Sequence, residues 1–131
     1  MINYFSKYKF IFYLCNLILF LEYLYPGSLL GCFLYDDCKL QPQITADFIV
    51  STNHLYAFGL FSIIGYLTFN KSSQIIYLTF YLIFLSIVLE ILHYFIPERS
   101  FEMSDLFGNL IGVIIITIIV YFLKKNENIK N

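Results

Sequence analysis

Six residues able to carry charge or exchange protons, Glu90, His93, Glu98, Arg99, Glu102 and Asp105, fall within sixteen positions of a chain that is 60% hydrophobic and only 13% charged. Glu90, His93 and Pro97 stand at i, i+3 and i+7, one face of a helix. Asp105, Asn109 and Gly112 stand at i, i+4 and i+7 and make a second face. A carboxylate beside an imidazole can do general acid–base work, with Glu90 or His93 as the base. Arg99 is the only arginine beside seven lysines, and its planar guanidinium can grip a carboxylate or phosphate at two points. The same groups admit plainer roles. Glu90 and Arg99 could close a helix hairpin as an ion pair, Ser104 or Asp105 could cap a helix, and Asn109 could bond a neighbouring helix. Glu98 and Glu102 read as solvated turn residues, and Gly108 with Gly112 forms a GxxxG that lets helix backbones approach closely.

Both flanks of this cluster are apolar enough for a lipid bilayer, and the mean hydropathy of the chain is +0.75. Its 131 residues allow one domain, 1–131. Four windows approach the ~20 apolar residues that a membrane helix needs, at 9–25, 48–69, 74–96 and 105–123. The expected fold is therefore all-α, an integral membrane bundle of four transmembrane helices. The first window could be a signal peptide behind Lys7 and Lys9, but it has no Ala-x-Ala-like cleavage site and carries Glu22; it is read as a retained helix. Alternating sides places Lys7, Lys9, Lys71, Lys124, Lys125 and Lys130 together, against Lys39 and Arg99. The excess of basic residues marks the cytoplasmic side, so both termini are expected there.

On that map Glu22, His54, Glu90, His93, Asp105 and Asn109 all lie at the outer ends of their helices, and only Asn16 lies near the midplane. Ionisable groups at membrane depth are costly and face one another in the bundle interior. The simplest arrangement is a pocket lined by Glu90, His93, Asp105 and Asn109, with His54 at the same end and Arg99 reaching over it from the Pro97 turn. Glycine-rich phosphate loops, HExxH and GxSxG are absent from the sequence. No spacing argues for a metal, and no cofactor is implied. The net charge of −1 gives no footprint for nucleic acid. Cys15 reads as a packing residue, while Cys32 and Cys38, six apart in a loop, could be a disulfide or two free thiols.

Glu90-x-x-His93-x-x-x-Pro97-x-Arg99, followed by Ser104-Asp105-x-x-x-Asn109-x-x-Gly112, resembles the signature of the VanZ-like family. His54, opening the second span ahead of Tyr56-Ala57-Phe58, resembles that family's other motif. His93 stands where the family usually has Gln, Val50-Ser51 replaces an Asp-Lys pair, and Ile116 occupies a position where a Gly is common. The resemblance implies a four-span bacterial membrane protein. Its founding member is an accessory protein in glycopeptide resistance, associated with low-level resistance to teicoplanin.

The leading expectation is a multi-pass protein of the bacterial cytoplasmic membrane. It would bind a lipid-linked or glycolipid component of the cell envelope at the outer leaflet, through Glu90, His93, Arg99, Asp105, Asn109 and His54. Antibiotic or envelope-stress resistance falls within that expectation. One alternative is a membrane-embedded transferase or hydrolase acting on lipid headgroups, with Glu90 or His93 catalytic. Another is a structural subunit of a membrane complex, assembled through Gly108, Gly112 and exposed aromatic faces, with Pro97 beside the two glycines as a helix-packing residue.

Overall fold

Breaks written into the sequence set the helix ends. Helix α1 (Lys9–Leu24) stops where Tyr25 turns extended ahead of Pro26, which disfavours helix at the residue before it. Gly27 follows with φ of +94°, a conformation open to glycine. The chain restarts, bent by 87°, as the short α2 (Leu29–Tyr35), whose Ser28 hydroxyl accepts the Gly31 N–H at 3.0 Å. Cys32 and Cys38 are joined as a disulfide across the end of α2. A loop leads to α3 (Thr52–Thr68), then α4 (Ser72–Leu92), prolonged by a 3₁₀ turn at His93–Phe95, and α5 (Met103–Lys130). This computed structural model describes residues 7–130, with side chains as far as Glu127. Among the described residues the chain is all-helical, with no strand.

Ser72–Phe95 and Met103–Glu127 are long and apolar enough to cross a membrane, and a third crossing is added if the bent α1–α2 pair counts as one span. Helix α3 falls short of the expected window 48–69. Its helix begins at Thr52, because the Asp47 carboxylate accepts the Thr52 N–H at 2.8 Å and the residues between them stay in the loop. Seventeen residues span about 26 Å, less than the ~30 Å hydrocarbon core. Helix α5 runs past Lys124-Lys125 rather than closing on them, and Lys124 pairs with Glu127 at 3.3 Å. The Lys130 side chain, one of the charges used to orient the chain, lies outside the described residues.

The glycine pair decides how the bundle closes. A Cβ on Gly112 would stand 2.6 Å from the Leu55 carbonyl oxygen, and one on Gly108 would stand 2.5 Å from that of Ser51. Only a residue without a side chain lets α5 lie this close to α3. Phe58 of α3, Leu82 and Leu89 of α4 and Val113 of α5 are fully buried beside this contact. Helix α1 packs on the same core through Phe12, Leu19 and Tyr23. Large apolar side chains such as Phe80, Phe84 and Phe122 point outward, as they do where the surroundings are lipid rather than water.

Candidate functional site

The polar residues of α1, α3, α4 and α5 meet at the end of the bundle that carries Pro97. Glu90, His93 and Asn109 are 0%, 1% and 0% exposed, so each must find partners inside the protein. Asn109 finds them fully. Its Oδ1 accepts the Tyr23 hydroxyl at 2.7 Å and its Nδ2 donates to the Ser86 carbonyl at 3.2 Å, which ties α5 to α1 and α4. His93 is held from both sides, with Nδ1 3.3 Å from Glu90 Oε1 and Nε2 2.9 Å from the Tyr23 carbonyl oxygen. Its ring lies 5.6 Å from the Tyr23 ring, nearly parallel, and the His54 ring lies 5.1 Å from Tyr23. One oxygen of Glu90 is thus engaged, because Oε1 also accepts the Glu102 N–H at 3.1 Å.

The other oxygen is not. Glu90 Oε2 and His54 Nδ1 are both buried without a hydrogen-bond partner among the described residues. They lie 4.0 Å apart, and His54 Nδ1 is 3.4 Å from Asp105 Oδ2. Those three side chains offer ligand atoms that all fall within 4.8 Å of one another. The close approach of α5 to α3 at Gly108 is what brings Asp105 to His54. In sequence the triad is spread over three helices, so no short motif marks it.

Arg99 is placed elsewhere. Its Nη2 donates to the Glu22 carbonyl at 2.6 Å and its Nε to the Tyr25 carbonyl at 3.2 Å. Glu22 is in the last turn of α1, where carbonyls have no partner within the helix, and Tyr25 is the extended residue that ends it. Among the described residues Arg99 forms no ion pair with Glu90. Glu98 takes a left-handed φ of +62° in the tight turn that precedes Arg99. Glu98 and Glu102 are exposed, as expected of turn residues, although the main chain of Glu102 serves Glu90. Pro97 follows the 3₁₀ turn and Ile96 is extended.

Beside the network, α1, α3 and the loop after α2 enclose a cleft of about 580 Å³. Its body is apolar, with Ile18 on one side and Leu60 and Ile64 on the other, while Glu22, Asn53, His54 and Arg99 gather toward one end. From His54 to Ile64 it follows α3 for ~15 Å. His54 belongs to both the cleft wall and the buried triad. Glu90, His93, Asp105 and Asn109 are not part of the wall.

Sequence reasoning missed Tyr23 and Asp47. Tyr23 is one of 12 tyrosines, and its only signal is helical spacing. It stands at i+7 from Asn16, whose Oδ1 accepts the Tyr81 hydroxyl at 2.8 Å, so one face of α1 carries both contacts. Asp47 accepts from the Thr52 N–H, the Thr52 hydroxyl and Gln43 Nε2. The first of these bonds does most to hold its carboxyl below the usual carboxylate range. No protein-family model, curated protein or solved structure matches this chain.

Proposed function

We propose that this chain is a VanZ-like protein of the bacterial cytoplasmic membrane. In this reading it crosses four times with both termini cytoplasmic, and it binds the headgroup of an amphipathic envelope component at the outer leaflet. The cleft between α1 and α3 carries the proposal: a long apolar flank ends in a carboxylate, an imidazole, an amide and a guanidinium. An acyl or polyprenyl chain fits the flank, and a polar or anionic headgroup fits the end. Arg99 spends two of its donors on α1 carbonyls, and the fork retains further N–H groups for a ligand. Two helices of full length support the membrane reading, and the bent α1–α2 pair supports a third crossing. Helix α3 reaches the required thickness with local thinning of the bilayer, a modest cost per ångström. The Cys32–Cys38 disulfide agrees with an oxidising compartment outside the cytoplasm.

Native mass spectrometry of protein extracted with its lipids tests this directly. We expect a bound amphiphile in the unmodified protein and its loss in Ala57→Trp, which fills the cleft. A lipid profile that is the same in both proteins overturns the assignment of the cleft.

A further inference from the structure

Polar atoms buried without partners are rare in folded proteins, and each one left so is destabilising. Here Glu90 Oε2 and His54 Nδ1 point toward one spot from two helices. Asp105 brings an oxygen to the same spot from a third. As ligands, with both carboxyls ionised and the imidazole neutral, the three would carry two negative charges, set mostly out of water. A monovalent partner would leave one charge uncompensated, and a divalent cation balances both.

We propose that His54 Nδ1, Glu90 Oε2 and one carboxylate oxygen of Asp105 bind a divalent first-row cation, with Zn²⁺ as the representative.

The spacing suits it. Two ligand atoms ~2.1 Å from a tetrahedral centre lie ~3.4 Å apart, against the 3.4 Å and 4.0 Å found from His54 Nδ1 to Asp105 and to Glu90. The widest separation, 4.8 Å at most, closes by side-chain rotation of Asp105, which is not fully buried. One nitrogen and two carboxylate oxygens suit zinc, manganese or iron(II) better than a soft ion. The surrounding bonds are those of a supporting shell. Glu90 Oε1 is fixed by the Glu102 N–H and lies 3.3 Å from His93, which leaves Oε2 as its free oxygen. His93 is itself anchored on the Tyr23 carbonyl. The inference does not depend on what fills the cleft. If both hold, His54 in the shared wall places the cation at the polar end of the cleft.

Full-length protein in detergent is stripped with a chelator, titrated with Zn²⁺ against a chromophoric competitor, and examined by zinc X-ray absorption. We expect one Zn²⁺ per chain in a nitrogen–oxygen shell with no sulfur. Glu90→Gln and Asp105→Asn should each weaken binding by more than the roughly 10–100-fold that loss of an outer partner causes. Glu98→Gln, on the exposed turn, should leave it unchanged. Zn²⁺ binds such sites more tightly than Mn²⁺ or Fe²⁺, so a wild-type protein that retains no Zn²⁺ overturns the proposal. Sulfur in the shell, which would implicate Cys15, also overturns it. So does an affinity in both site variants equal to that of the unmodified protein. If Glu90→Gln is not monodisperse, Asp105→Asn at its partly exposed position decides together with the absorption spectrum.

Discussion

Among the described residues two polar clusters stand toward opposite ends of the bundle, and they are built on different terms. Toward Lys71, the Tyr66 hydroxyl lies 2.8 Å from Thr79 Oγ1 and 2.7 Å from Thr117 Oγ1. Each threonine also donates to the carbonyl four residues before it, Ile75 and Val113. That cluster is neutral and each hydroxyl uses its one proton, the threonines on carbonyls and Tyr66 on one of the threonines. Toward Pro97, the cluster contains two carboxylates and two imidazoles, and two of its buried atoms have no partner. The remaining buried orphan, Ser62 Oγ, is a single neutral hydroxyl between the clusters. A network that exists only to lock helices can be completed with hydroxyls and amides, as the Lys71 end shows. Ionisable groups left incomplete at the other end are what the proposed cation site rests on.

The largest effect should come from the contact that assembles the charged end. Gly112→Leu places a side chain where a Cβ alone meets the Leu55 carbonyl oxygen at 2.6 Å. It should destabilise by ~3 kcal/mol, the upper part of the range for overpacking, read as a lower midpoint of thermal unfolding in detergent. The Lys71 cluster involves α3 and α5 as well, so both ends should loosen together. Loss of order at the Pro97 end alone would mean that the two ends fold independently.

A sharper contrast lies within the charged end. Asn109→Ala strands the Tyr23 hydroxyl, at ~2 kcal/mol for a buried group left unpaired. Glu90→Gln keeps an acceptor for the Glu102 N–H and removes a buried ionisable group. In metal-free protein it should leave the unfolding midpoint unchanged or raise it. If Glu90→Gln destabilises as much as Asn109→Ala, Glu90 is a structural residue and the contrast between the two ends disappears. At the Lys71 end, Tyr66→Phe should be milder, at ~1 kcal/mol for a neutral hydrogen bond, with no effect on zinc affinity.

Sequence alone carried the composition of the charged end but not its wiring. Helical spacing put Glu90 with His93 and Asp105 with Asn109, and the GxxxG pair announced a close helix contact. Nothing in the spacing said that the partner of that contact is α3, yet this is what sets Asp105 against His54. Arg99 looked like a ligand group because it is the only arginine. Its bonds to α1 carbonyls depend on where Pro26 ends that helix, which is a matter of tertiary placement. Tyr23 was hidden among many tyrosines. Helix α3 starts later than the window 48–69 because Phe48, Ile49 and Val50, apolar enough to extend a span, are held in a loop by hydrogen bonds that Thr52 donates to the Asp47 carboxylate.

The smallest effect belongs to that loop, and it separates pH sensitivity of the helix start from that of the charged cluster. Asp47 is held below the usual carboxylate range, chiefly by the Thr52 N–H. Its contribution is therefore fully present above ~3.9, the ordinary aspartate value, and is lost as pH falls through the lower folded value. In the unmodified protein the Thr52 amide should be protected from hydrogen exchange at neutral pH, beyond what Asp47→Ala shows. The difference between the two proteins should shrink only as the solution is acidified below ~3.9. Asp47 is exposed, so the gain is local and screened by salt, and the global unfolding midpoint should barely move. If the Thr52 amide exchanges equally in both proteins at neutral pH, Asp47 does not set the start of α3. The loop would then be free to extend the helix toward Phe48, and α3 could reach the length of α4.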